Sequence, residues 1–128
     1  MRAAPPDTIL RFEWSVRALA QSAGTQFTLF PPFVCVADEL ALEFEEQYGR
    51  VREQNVSLGR GEVAVRDLDK KLEEMSGPQH EELWTDDALR QEPDWEEIRV
   101  LARRVIDVMG WSDTPPPSER AEYVGADA

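Results

Sequence analysis

The chain has 128 residues, with 26 acids against 14 bases and a formal net charge of −12. Such a surface repels phosphate backbones, so no nucleic acid is expected as a partner, and a basic protein suits it better. The single cysteine, Cys35, excludes an internal disulfide framework. No run of 18 apolar residues exists, and Arg11, Glu13 and Arg17 break any apolar leader near the start, so one soluble cytoplasmic domain is expected, with no membrane span.

Asp7 is placed to cap a first helix running to about Ser22. Ile9, Phe12, Val16, Leu19 and Ala20 form a stripe with steps of three and four along it. Gly24 is a fitting residue just beyond the end of that helix, where a left-handed conformation costs least. Phe12 and Trp14 also alternate in strand fashion over "LRFEW", but length and the two end signals favour a helix. "TQFTLFPPF" then reads as an apolar loop, because Pro31 and Pro32 end any ladder, and it places Phe27, Leu29 and Phe30 on the core.

Pro32 suits the opening of a second helix over residues 33–54. Phe33, Ala37, Leu40, Phe44, Tyr48 and Val51 form its narrow apolar stripe. Gly59 and Gly61 break the chain. A third helix over 62–76 turns Val65, Leu68, Leu72 and Met75 inward, and "SGP" at 76–78 stops it. Residues 79–92 read as a loop holding one short turn of helix, with Thr85 as its N-cap. The last helix runs from near Pro93 to Gly110, with Trp95, Ile98, Leu101, Ala102, Val105 and Met109 inward and Trp111 closing its end. Residues 112–128 contain three consecutive prolines and no apolar period, which predicts a flexible tail. The expected fold is all-α: a compact bundle of about four amphipathic helices over residues 1–111, with a disordered C-terminal tail.

Catalytic chemistry finds few residues to use. Cys35 and His80 make the one possible Cys–His pair, but Cys35 lies between Val34 and Val36, where a thiol is buried and inert. A single histidine and the lack of CxxC or HExxH leave no zinc or di-iron pattern. Glu39, Glu43 and Glu46 step along one helical face, with Asp67 or Asp69 available on the next helix. That row resembles the carboxylate ladders of the all-α MazG-like nucleotide pyrophosphohydrolases. The resemblance implies a magnesium-dependent hydrolase using Glu39, Glu43, Glu46 and Asp69. The paired Glu-Glu-x-x-Glu and the following Glu-x-x-Asp of that family are absent. No cofactor is expected from the residues themselves.

The acid-dense segment has two readings. Asp86 and Asp87 follow a threonine cap, and Asp94, Glu96 and Glu97 open the last helix, where the helix dipole favours negative charge by about 0.3–1 kcal/mol each. Residues 81–97 nonetheless hold eight acids and one base, Arg90, an imbalance that a cationic partner would relieve. A partner surface is therefore expected around Trp84, Glu81, Glu82, Asp86 and Asp87. Leu42 joins it as an outward leucine ringed by Asp38, Glu39, Glu45 and Glu46. The leading expectation is a non-catalytic acidic protein that occupies a basic surface of a partner protein, as an inhibitor or immunity-type protein would. A structural accessory subunit, with Trp14, Trp84 and "FTLFPPF" forming an apolar interface, is a further alternative. Partner identity and oligomeric state are not fixed by the sequence.

Overall fold

The computed structural model describes residues 6–118, and its first helix, α1 (Pro6–Leu19), buries Phe12, Val16 and Leu19 as the stripe requires. α1 does not end on Gly24. Side chains take its orphaned terminal carbonyls instead. Gln21 Nε2 donates to Arg17 O at 2.9 Å, and Gln26 Nε2 donates to Ala18 O and Leu19 O at 3.0 and 3.1 Å. Arg103 and Arg99 donate to Ala20 O and Gln21 O.

The expected loop "TQFTLFPPF" is in part a second helix, α2 (Ala23–Leu29), and Gly24 lies in its first turn. Ser22 caps it, accepting from the Thr25 N–H at 3.4 Å. Local propensity is poor over "AGTQFTL"; burial of Leu29 and of the Gln26 amide on the end of α1 overrides it. Leu29 and Phe30 are buried and Phe27 is half-buried, as expected of this stretch. The next helix starts later than its pattern suggested. Val34 N–H closes a turn on Pro31 O at 3.4 Å, and α3 (Val36–Glu53) begins behind Cys35. Phe33 therefore leaves the apolar stripe and is 72% exposed.

A 3₁₀ turn at Gly59–Gly61 leads into α4 (Glu62–Glu74), and a second at Pro78–Leu83 leads into α5 (Asp86–Gln91). Gly61 is buried so tightly against the Met109 side chain that an added Cβ would collide with its sulfur. Thr85 caps α5 by accepting from Ala88 N–H at 3.0 Å. α6 (Pro93–Met109) ends at Gly110, whose φ of 75° is left-handed. Beyond it, Trp111 lies edge-on to Phe12, with ring centroids 6.0 Å apart.

Among the described residues every regular element is helical. α1 packs on α3 and on α6, and α4 packs on α6. One core joins them, with Phe12, Phe44 and Tyr48 clustered between α1 and α3 and Trp95, Ile98 and Val105 of α6 fully buried. No helix among the described residues is long and apolar enough to cross a membrane.

Residues 112–118, assigned from sequence to the tail, run along the outside of α1. Trp14 Nε1 donates to Pro117 O at 2.6 Å, and the Arg17 guanidinium donates to Thr114 O at 2.9 Å. Residues 119–128 of the expected tail lie outside the described residues, as do residues 1–5.

Candidate partner-binding surface

Trp84 sits where the 3₁₀ turn Pro78–Leu83 meets α5. Its indole N–H donates to Met75 O at 2.8 Å, and its ring stands edge-on to Trp95 at 5.2 Å. Trp95 in turn donates to Leu83 O at 2.7 Å. Trp84 is therefore half-buried and anchors the 78–85 connection to the end of α4 and to α6. Its neighbours Glu81, Glu82, Asp86 and Asp87 are all exposed.

The acid-dense segment splits into two parts once the helices are placed. The α6 part is neutralised from elsewhere in the fold. Lys71 of α4 reaches Asp94 at 3.0 Å and Glu97 at 3.2 Å. Burial alone would lower the Lys71 ammonium, but those two hydrogen bonds outweigh it and hold its pKa above the usual lysine value. Arg99 and Arg103 both reach Glu96, at 3.2 and 3.5 Å. The imbalance counted along the sequence is thus smaller in space at these positions. In the 81–87 part, Asp87 meets Arg90 at 3.4 Å, in a pair too exposed to count for much. Glu81, Glu82 and Asp86 make no ion pair among the described residues.

Cys35 connects this segment to α3. Its Sγ lies 3.5 Å from Trp84 O. Its thiol is pushed up by burial and by the negative charges of Asp38 and Asp86, so those two carboxylates flank one point. From Asp38 the acids continue along the outward face of α3. Leu42 is 57% exposed there and shares a shallow depression with Glu39, Glu43, Glu45 and Glu46. Glu45 is raised above the usual carboxylate value by burial and by the nearby Asp69 and Glu73 of α4. Asp69 is raised by burial and by Glu73, with Arg52 opposing. The result is an acidic band from the 81–87 turn across the start of α3 to the α3–α4 flank, with Leu42 as an exposed apolar group within it.

The carboxylate row considered for magnesium does not assemble. Among the described residues no group of three or more Asp, Glu, His or Cys side chains is arranged to hold a metal ion. Asp69 has Glu73 and Glu45 as near carboxylates. The buried polar centre of the fold is a different residue, Arg99, which sequence reading assigned no role. It donates to Gln21 O, Gln26 Oε1, Leu89 O and Glu96. Its one legible signal was its place between Ile98 and Ala102 on the inward side of the last helix.

No family model, no curated protein and no solved structure matches this chain.

Proposed function

We propose that the protein is a non-catalytic acidic binding protein that docks against a basic surface of another protein, in the manner of an inhibitor or immunity-type protein. The observation that carries this reading is the pairing pattern. Cations elsewhere in the fold neutralise Asp94, Glu96 and Glu97, while Glu81, Glu82 and Asp86 are left without an ion pair among the described residues, and Asp86 lies with Asp38 beside Cys35. A fold that distributes its cations this way keeps one side strongly negative. Such a side raises association rates with a cationic partner and suppresses wrong ones. Leu42 supplies desolvated contact area inside the band. Trp84 supports the surface from beneath, because its ring and its N–H are committed to Trp95 and Met75.

The test compares the intact chain with a Glu81→Lys, Glu82→Lys, Asp86→Lys variant as bait for host proteins, with captured proteins identified and their binding remeasured with purified components. A partner that binds the intact chain, loses affinity as salt rises and ignores the reversed variant supports the reading. A captured set identical for both baits overturns it.

A further inference from the structure

We propose that the outer groove of α1 formed by Trp14, Arg17 and Gln21 is a binding site for an extended proline-rich peptide. Asp113–Ser118 is its resident intramolecular ligand, and a proline-rich segment of another protein takes its place. This proposal does not rest on the acidic band, although Glu43 borders both.

The receptor side follows from helix spacing. Trp14 and Arg17 are three residues apart on one face of α1, and Gln21 follows in the turn just beyond its end, where its amide also reaches Arg17 O. The core uses the other side, through Phe12, Val16 and Leu19. Trp14 is half-buried and held edge-on to Phe30 at 5.8 Å, so its indole N–H points from a fixed platform.

The ligand side follows from proline chemistry. Thr114, Pro115 and Pro116 each precede a proline, which disfavours helix and keeps the strand extended. Pro115, Pro116 and Pro117 have no N–H, so the backbone groups they offer a receptor are carbonyls. The groove supplies matching donors. Gln21 Nε2 reaches Asp113 O at 3.2 Å and Thr114 O at 3.5 Å. Arg17 reaches Thr114 O at 2.9 and 3.3 Å and Pro115 O at 3.4 Å, and also the Thr114 hydroxyl at 3.0 Å. Trp14 Nε1 reaches Pro117 O at 2.6 Å. Pro116 is buried between these contacts. Donation from a tryptophan and two further side chains to the carbonyls of Asp113, Thr114, Pro115 and Pro117 uses the same chemistry as the general recognition of proline-rich peptides in aromatic grooves.

Among the described residues the groove continues beyond these hydrogen bonds. Past Pro117 and Ser118 it opens into a hollow of about 250 Å³ lined by Asp7, Leu10, Arg11, Trp14 and Glu43, where Leu10 is 61% exposed. The resident strand is held mainly by solvent-exposed hydrogen bonds, each worth about 1 kcal/mol. A competing segment that also covers Leu10 has contact area that the resident contacts leave open.

The test uses the full-length chain with Pro115, Pro116 and Pro117 replaced by glycine, which keeps the length and loosens the resident strand. The probe is a synthetic peptide of residues 112–120, "SDTPPPSER", and the readout is the Trp14 indole N–H resonance, assigned by Trp14→Phe. In the glycine variant this resonance is expected to move from its intact-chain position, and the peptide to restore it saturably at submillimolar concentration. Against the intact chain the same peptide is expected to bind at least about tenfold more weakly, because the tethered strand competes at ~mM effective concentration. Gln21→Ala in the glycine background is expected to weaken binding about fivefold, the equivalent of one hydrogen bond. No saturable shift up to several millimolar peptide overturns the proposal, as does equal binding of a peptide with glycines at the three prolines. If the triple-glycine chain does not fold, Pro117→Gly alone carries the same titration with the same two outcomes.

Discussion

Arg99 Nη2 donates to Gln26 Oε1 at 3.1 Å, and the two residues are 5% and 0% exposed. Through this pair α6 holds α2, α2 holds the end of α1 through Gln26 Nε2, and Leu89 O brings in the end of α5 at 2.6 Å. The charge is partnered mainly by neutral carbonyls, with Glu96 on the wet side. Removing the guanidinium strands several buried acceptors at once. Arg99→Met is therefore expected to cost about 3–5 kcal/mol in equilibrium urea unfolding. Gln26→Leu costs less, and the double variant is expected to lose less than the sum, since both remove one shared bond.

Trp84→Ala is expected to lower the melting midpoint markedly, by the equivalent of about 3 kcal/mol, the lower end for loss of a tryptophan because the ring is only half-buried. Trp84→Phe keeps the edge-on contact with Trp95 and loses the hydrogen bond to Met75 O. Its expected cost is about 1 kcal/mol. A melt of the alanine variant unchanged from the parent would show that the residue is free to serve as a direct anchor.

Glu45 and Asp69 give a pH dependence of definite sign. Their folded pKa values lie above the ordinary 4.5 and 3.8, by burial first and by neighbouring carboxylates second. The folded state thus binds these protons more tightly than the unfolded chain does. The resulting destabilisation is fully present above the raised values, falls as pH drops through them, and is gone below the ordinary ones. Glu45→Gln and Asp69→Asn are expected to raise the melting midpoint at pH 7, and the gain should shrink as pH falls and vanish by about pH 3, below both ordinary values. An equal gain at both pH values would show that the carboxylate charge is not its source.

The sequence made the long helices legible because each carries a sustained apolar period, and α6 also carries its proline start and its glycine stop at Gly110. α2 was not legible. Its residues are poor helix formers, and what decides them is Gln26 reaching carbonyls seven and eight positions earlier. Gly24 misled for the same reason, since a side-chain cap does the work expected of a glycine. Phe33 misled because it continues the α3 period into a turn set by Pro31 and Pro32. In the candidate surface, the exposure of Glu81, Glu82, Asp86, Asp87 and Leu42 followed from local pattern. The commitment of Trp84 to Met75 and Trp95, and the neutralisation of Asp94, Glu96 and Glu97 by cations on α4 and α6, depend on tertiary placement that no local window contains.

The two halves of the acid-dense segment should respond differently to charge reversal. Glu96 faces Arg99 and Arg103, so Glu96→Lys puts like charges together at the edge of the buried Arg99 network. It is expected to destabilise by about 1 kcal/mol, limited by the exposure of the carboxylate. Glu81, Glu82 and Asp86 face no cation in the described fold, and Asp86 adds to the negative charge at Cys35 beside Asp38. Reversing them relieves repulsion but gives up the favourable Asp86 charge at the start of α5, so the melting midpoint should stay nearly unchanged. With a cationic partner in hand, the same triple reversal is expected to slow association and flatten its salt dependence, whereas Leu42→Ala speeds dissociation and leaves the association rate nearly unchanged. Stopped-flow association at several salt concentrations, beside a thermal melt of each variant, separates the effects. A triple reversal that unfolds the chain, or that leaves association and its salt dependence as they were, would remove the 81–87 turn from the binding surface.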